Sequence, residues 1–152
     1  PDDERYARSV ARLRRDQAPP AVVQAFSALV MANGEQARSL AEALLYRLLE
    51  ANPETAGRFH LNALQPWKFG PRRAELDLFC PDWSLAIEVD GYHHFQDQEA
   101  YRRDRRKDVE LQLRDIFVAR VLADDLVEDL GSTFDQLLET IRRKTGVGGG
   151  VP

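Results

Sequence analysis

Two strand-like segments, "SLAIEVDG" (84–91) and "IFVARVL" (116–122), bracket a long polar stretch, "DQEAYRRDRRKDVELQLRD" (97–115). This arrangement constrains the fold more than any other feature of the chain. In the first segment Leu85, Ile87 and Val89 alternate with Ala86, Glu88 and Asp90, the period of a strand. The second is almost continuously apolar, as a buried parallel strand is. The polar stretch reads as a helix, with Asp97 placed to cap it. Strand, helix and strand form a βαβ unit, whose crossover is expected to be right-handed.

Upstream, "LQPWKFG" (64–70) and "RRAELDLFC" (72–80) read as two further strands, and "CPDW" as the turn into the third. In the second, Leu76 and Leu78 alternate with Glu75, Asp77 and Phe79. "SLAEALLYRLLEAN" (39–52) is the clearest helix: Leu40, Leu44 and Leu48 recur every four residues, with Ala41, Leu45 and Leu49 beside them. A loop with Pro53 and Gly57 follows. "PDDERYARSVARLRRDQAPP" reads as a short amphipathic helix stopped by Pro19-Pro20. "AVVQAFSALVM" places Val22, Val23, Phe26, Leu29 and Val30 on one face, closed by Asn33-Gly34. "ADDLVEDLGSTFDQLLETIRRK" gives one or two closing helices, and "TGVGGGVP" a flexible tail. There is no internal repeat.

At 152 residues one domain is expected, long enough to bury a real core. There is no apolar run near 18 residues and no signal-peptide layout. The single cysteine, Cys80, excludes an intramolecular disulfide and fits a reducing cytoplasm. Cys80 near two histidines lacks any Cys-x-x-Cys spacing, so zinc is not expected. A net charge of −4 gives no global pull toward nucleic acid, but "YRRDRRK" carries five basic residues in seven positions. Any anion-binding face is therefore local. The chain starts on Pro-Asp-Asp without methionine, so a piece of a larger protein with further domains is expected.

The turn at Pro81-Asp82 folds two strands onto each other and brings Asp77 close to Ala86 and Glu88. Asp77, Glu88 and Asp90 are then expected at one spot. Like charges about 5 Å apart repel by roughly 3 kcal/mol per pair at an effective dielectric near 20. A cation, a shared proton or a basic neighbour must offset that. Oxygen ligands at this density suit Mg²⁺ or Mn²⁺. The alternative is that these acids form the solvated face of an antiparallel hairpin. Ligands in α/β folds gather at strand carboxyl ends, which is where Glu88 and Asp90 lie.

An acidic residue in a helix, then Asp77, then "IEVDGYHH" closely resembles the PD-(D/E)xK, restriction-endonuclease-like superfamily. More specifically, the chain resembles bacterial endonuclease-domain proteins related to the very short patch repair (Vsr) endonuclease. The matching stretches are "SLAEALLYRLLE", "RRAELDLFCPDWSLAIEVDGYHHF", "YRRDRRKDVELQ" and "FVARVLADDL", covering roughly residues 39–126 in the family's order. The resemblance implies an α/β restriction-endonuclease-like core (αβββαβ), a mixed sheet flanked by helices, with extra N-terminal helices. The implied organisation is an N-terminal helical segment over 1–34, a nuclease-like domain over 35–144 and a tail over 145–152.

The resemblance also implies a function, a metal-dependent endonuclease hydrolysing DNA phosphodiester bonds, the nuclease module of a prokaryotic defence or repair protein. Asp77 resembles the central metal-binding aspartate and Glu88 the acid of the (D/E)xK element, with the Val89 carbonyl completing the Mg²⁺ or Mn²⁺ shell. Asp90 stands where the superfamily's lysine usually sits, although Glu-x-Asp-Gly is the pattern of this subfamily. His94 matches the subfamily's histidine and is the expected proton-transfer group, titrating near neutrality. His93 is a bystander. Glu42 matches the acidic residue of the first helix, and Arg120 an arginine of the last strand. Because one site nicks and two make a double-strand break, a homodimer is among the expected assemblies.

Each assignment has a plainer counterpart. Ser39 and Glu42 spell a capping box. His94 packs on Phe95 or caps the next turn. Arg102, Arg103, Arg105, Arg106 and Lys107 are either phosphate contacts or a solvated helix face paired with Asp104, Asp108 and Glu110. The rivals for the whole chain are a catalytically degenerate nuclease fold that binds nucleic acid, and a protein-interaction domain.

Overall fold

A computed structural model describes residues 3–32, 35–91 and 97–148. In these residues six helices and four strands follow in the order α1 (Asp3–Arg15), α2 (Pro20–Val30), α3 (Glu35–Ala51), β1 (His60–Phe69), β2 (Arg72–Cys80), β3 (Leu85–Asp90), α4 (Gln98–Leu113), β4 (Phe117–Leu122), α5 (Ala123–Glu128) and α6 (Leu130–Thr145). The protein is α/β, with a four-stranded mixed sheet flanked by helices. The strands lie in the order β1-β2-β3-β4; β3 and β4 are parallel, and the other neighbours are antiparallel.

Local chemistry explains the boundaries. Pro20 occupies the first turn of α2, where its missing N–H costs no intrahelical bond, so the proline pair both ends one helix and starts the next. The Asn33-Gly34 pair expected to close α2 lies outside the described residues. Asp97 caps α4 as expected, its Oδ1 accepting from the N–H groups of Glu99 (3.0 Å) and Ala100 (3.2 Å). The closing helical stretch is two helices. α6 ends on Gly146, which takes a left-handed φ of 72° and donates its N–H to the Arg142 carbonyl.

β1 begins at His60, four residues before the expected start. Its opening residues alternate poorly, and Asn62 holds a φ of 51°. Pro66 sits inside the strand without a donor, which an edge strand tolerates. The register with β2 slips between Leu64 and Lys68, and across the slip Arg73 Nε donates to the Gln65 carbonyl at 2.8 Å.

Helices cover both faces of the sheet. On one side Phe26 of α2, Leu44, Leu45 and Leu49 of α3, Leu126 of α5 and Ile141 of α6 pack with Leu78, Leu85, Ile87 and Val89. Val10 and Leu13 of α1 join the same core. On the other side Leu111 of α4 and Ile116 pack with Leu76 and Ala86, and the half-buried Trp67, Phe79 and Val118 close the edge. Truncating a buried leucine such as Leu44 or Leu78 to alanine costs about 2–5 kcal/mol in cores of this kind. No helix among the described residues is long and apolar enough to cross a membrane.

One expectation about faces needs correcting. Alternation predicts that Leu76 and Leu78 share a face, but they pack into different clusters on opposite sides of the sheet. The ladder between β2 and β3 runs through Cys80–Leu85, Phe79–Ala86 and Leu78–Ile87. Asp77 is the first residue past that ladder, and strict alternation fails there.

Candidate active site

The site grows out of that divergence. Past the last β2–β3 pair, the main-chain N–H of Val89 meets the Asp77 carboxylate instead of a strand carbonyl, donating to Oδ2 at 2.8 Å. Asp77 and Glu88 are both buried, at 5 % and 4 % exposure, so the solvated-hairpin alternative does not hold for them.

α3 brings two side chains to the same place. Arg38 and Glu42 are four residues apart on one helix face. Arg38 Nη2 lies 3.3 Å from Asp77 Oδ1, and Arg38 Nε lies 3.3 Å from Glu42 Oε1. From the opposite layer α4 brings Lys107. Its Nζ donates to the Glu75 carbonyl at 2.7 Å and lies 2.8 Å from Glu88 Oε1. That second contact is a poorly aligned ion pair, and among the described residues buried Glu88 Oε1 has no hydrogen bond of good geometry.

Three carboxyls, those of Glu42, Asp77 and Glu88, thus share a site with two cations. Burial and the neighbouring Asp77 charge push Glu42 up to about 7, with Arg38 pulling the other way. Burial and Asp77 likewise push Glu88 up to about 8 against the pull of Lys107. For Arg38, burial works against the charged form, but Asp77 and Glu42 outweigh it and the pKa is raised. The cluster is held by too little positive charge for its acids, and protons are retained to make up the difference.

Asp90 behaves differently from the expectation that groups it with Asp77 and Glu88. Its carboxylate meets Arg120 of β4, with Nη1 to Oδ1 at 2.8 Å. Arg120 also pairs with Asp108 of α4, and Asp108 Oδ2 lies 3.2 Å from Arg105 Nη2. Burial lowers the Arg120 pKa, but the hydrogen bond to Asp108 and the charges of Asp90 and Asp108 raise it overall. The parallel register explains the pairing: Glu88 stands opposite Arg120 and Asp90 opposite Leu122, so Arg120 is within reach of the end of β3. The expected trio of Asp77, Glu88 and Asp90 becomes Glu42, Asp77 and Glu88, beside a separate network of Asp90, Arg120 and Asp108.

The basic helix also divides. Arg102, Arg103, Arg105 and Arg106 are on the outer side of α4, and Arg105 lies over the Tyr101 ring. Lys107, expected with them as a phosphate contact, is turned inward, its side chain only 15 % exposed. The helix period carried the signal: Ala100 and Leu111 are buried, and the stripe joining them runs through Asp104 and Lys107. The sequence reading does not single out Arg38, although its position four residues before Glu42 marks it. His93 and His94 lie outside the described residues.

A hard divalent cation suits this donor set, because the oxygens are carboxylates and buried Glu88 Oε1 has only the poorly aligned Lys107 ammonium beside it among the described residues. Among the described residues, however, no three His, Cys, Asp or Glu side chains are placed to hold a metal ion. A cation here would rest on Asp77, Glu88, main-chain oxygen and water, a sparse protein shell of the kind Mg²⁺ accepts. Comparison with family models, curated proteins and solved structures returns no match to this chain.

Proposed function

We propose that this chain is a Mg²⁺- or Mn²⁺-dependent endonuclease domain of the PD-(D/E)xK, restriction-endonuclease-like type, related to the very short patch repair endonucleases and cutting DNA phosphodiester bonds. The observation that carries the reading is the buried junction at Asp77 and Glu88. There the strand ladder ends, Asp77 holds the Val89 N–H, and two neighbouring carboxyls retain protons near neutral pH. The order of helix, three strands, helix and strand from α3 to β4 supports it.

In this reading Asp77 and Glu88 would hold the cation, the Val89 carbonyl would complete its protein shell, and Glu42 would reach it through water. When bound, the cation polarises the scissile phosphate and acidifies a water. Arg38 fixes the Asp77 carboxylate and limits its repulsion with Glu42. The Asp77 bond to Val89 N–H orients the strand end that presents the carbonyl. Arg102, Arg103, Arg105 and Arg106 offer phosphate contacts along the outer face of α4. His94 takes the proton-transfer role. A place in a prokaryotic defence or repair protein belongs to the same proposal.

A second reading is favoured by one specific observation. Arg38 and Lys107 already neutralise part of the acidic cluster, as they would in a degenerate nuclease fold that only binds nucleic acid. Nicking of supercoiled plasmid separates the two. Wild-type protein with Mn²⁺ is expected to nick, and Asp77→Ala and chelated samples are not. Wild-type cutting no better than Asp77→Ala would leave the binding module as the function.

A further inference from the structure

We propose that Lys107 is a catalytic residue of this site, an ammonium delivered from α4 that stabilises charge on the scissile phosphate. The proposal rests on the nuclease reading and goes beyond it in assigning the positive charge of the reaction to a helix residue. Four observations lead there.

The first is placement. Of the five basic residues in 102–107, the four arginines lie toward the outer side of the helix, and the single lysine reaches inward to the buried Glu88. The second is fixation. An ammonium has three N–H donors. One is committed to the Glu75 carbonyl at 2.7 Å, which anchors the group to β2. Another faces Glu88 Oε1 at 2.8 Å. Among the described residues these two contacts leave one donor for a third partner at the acidic cluster.

The third is geometry. Lys107 Nζ lies 2.8 Å from Glu88 Oε1 but poorly aligned with it, and among the described residues Oε1 has no hydrogen bond of good geometry. A lysine kept only to tie down Glu88 would gain more from alignment. The fourth is the charge on β3 itself. Asp90, two residues beyond Glu88, is held by Arg120. Arg38, the other cation of the cluster, makes its ion pairs with Glu42 and Asp77 and feels the Glu88 charge more weakly. Among the described residues the cation in direct contact with Glu88 is Lys107, where a fixed charge acts without reorganisation as negative charge builds on a phosphate oxygen.

The test pairs turnover with measurements made without DNA. For Lys107→Met, single-turnover nicking is expected to fall on the order of 10²-fold, the loss typical of one oriented donor. The KM for plasmid and the Mn²⁺ Kd from calorimetry are expected to change by less than about threefold, because Lys107 acts after binding. Lys107→Cys treated with 2-bromoethylamine restores an ammonium at the same length. Cys80 is fully buried and is not expected to react, and treated wild type is the control. Rescue of at least about tenfold in rate within one preparation holds even where the untreated variant is partly unfolded.

Three results would overturn the assignment. Lys107→Met could cut within about threefold of wild type, or could lose Mn²⁺ binding by the same factor as its rate, or alkylation could restore nothing. The second would make the lysine a support for the metal ligands alone. Wild-type protein that nicks nothing with Mn²⁺ is a different outcome: the nuclease reading itself falls, and the role of Lys107 falls with it.

Discussion

Asp77 and Val89 are joined across the gap where β2 and β3 part: the carboxylate accepts the main-chain N–H at 2.8 Å, and the acid side chain continues the work of the sheet ladder. One side chain thereby has a structural and a chemical task, and substitutions can separate them.

Asp77→Ala leaves the buried Val89 N–H without its acceptor, which costs about 1–3 kcal/mol. Asp77→Asn keeps an acceptor oxygen and removes a charge that repels Glu42 and Glu88. In urea titrations at pH 8 Asn is expected to be the more stable of the two, although both abolish nicking. Equal destabilisation by the two variants would mean that the Val89 bond contributes little.

The raised carboxyls predict a pH dependence with a definite sign. Glu42 and Glu88 ionise near 4.5 when unfolded and near about 7 and about 8 in the metal-free fold. The folded state binds more protons over that window, so stability is fully present below about pH 4.5 and is lost as pH rises through 7 and 8. The melting temperature of the metal-free protein is expected to fall between pH 6 and pH 9, and Glu88→Gln is expected to flatten that fall. Mn²⁺ should raise the melting temperature more at pH 8 than at pH 6, because at the lower pH it must displace protons. A melting temperature that rises with pH over this range would contradict the assignment.

Arg120 holds Asp90 and Asp108 together from β4. Arg120→Ala removes the cation that Asp90 and Asp108 share and leaves Asp108 with Arg105. Fully buried pairs broken in this way cost about 3–5 kcal/mol; with the Arg120 side chain 19 % exposed, about 2–3 kcal/mol is expected. Asp90→Asn should be milder, since Asp108 still balances Arg120. Chemical denaturation of the two variants checks the order.

The outward-facing arginines of α4 predict a salt signature. Charge removal at Arg102 and Arg106 should weaken binding to any duplex sequence alike and shrink the salt slope by about one for each phosphate no longer neutralised. Titration of fluorescent DNA at several salt concentrations reads this directly. An unchanged slope would place the phosphate-binding surface elsewhere.

Much of this architecture is legible in the chain. Leu85, Ile87 and Val89 alternate clearly enough to place β3, the apolar run before Ala123 places β4, and the four-residue leucine spacing places α3. β1 is longer than its pattern suggests because Asn62 and Pro66 break the alternation that marks a strand. Leu76 and Leu78 appear to share one face because alternation assumes an unbroken ladder, and the ladder ends beside Asp77. At the site, hairpin pairing is enough to bring Asp77 to Glu88. Which acid goes with which cation is not legible, because Arg38, Lys107 and Arg120 arrive from three different elements. The inward turn of Lys107 is readable in principle from Ala100 and Leu111, but a run of five charges hides the helix stripe beneath it.

The first and last helices close over the same core. Leu13 of α1 shares its cluster with Leu137 and Ile141 of α6, and Arg12 reaches Asp135 across 123 residues of chain. α1 meets α2 early, Tyr6 stacking on Phe26, but the part of its packing surface that α6 supplies is synthesised long after it. The part of its apolar side that α6 covers stays exposed until α6 has left the ribosome tunnel. Chaperones and proteases have that interval in which to meet the chain, and growth temperature or codon usage late in the message should influence yield more than the strength of any single pair in the finished fold.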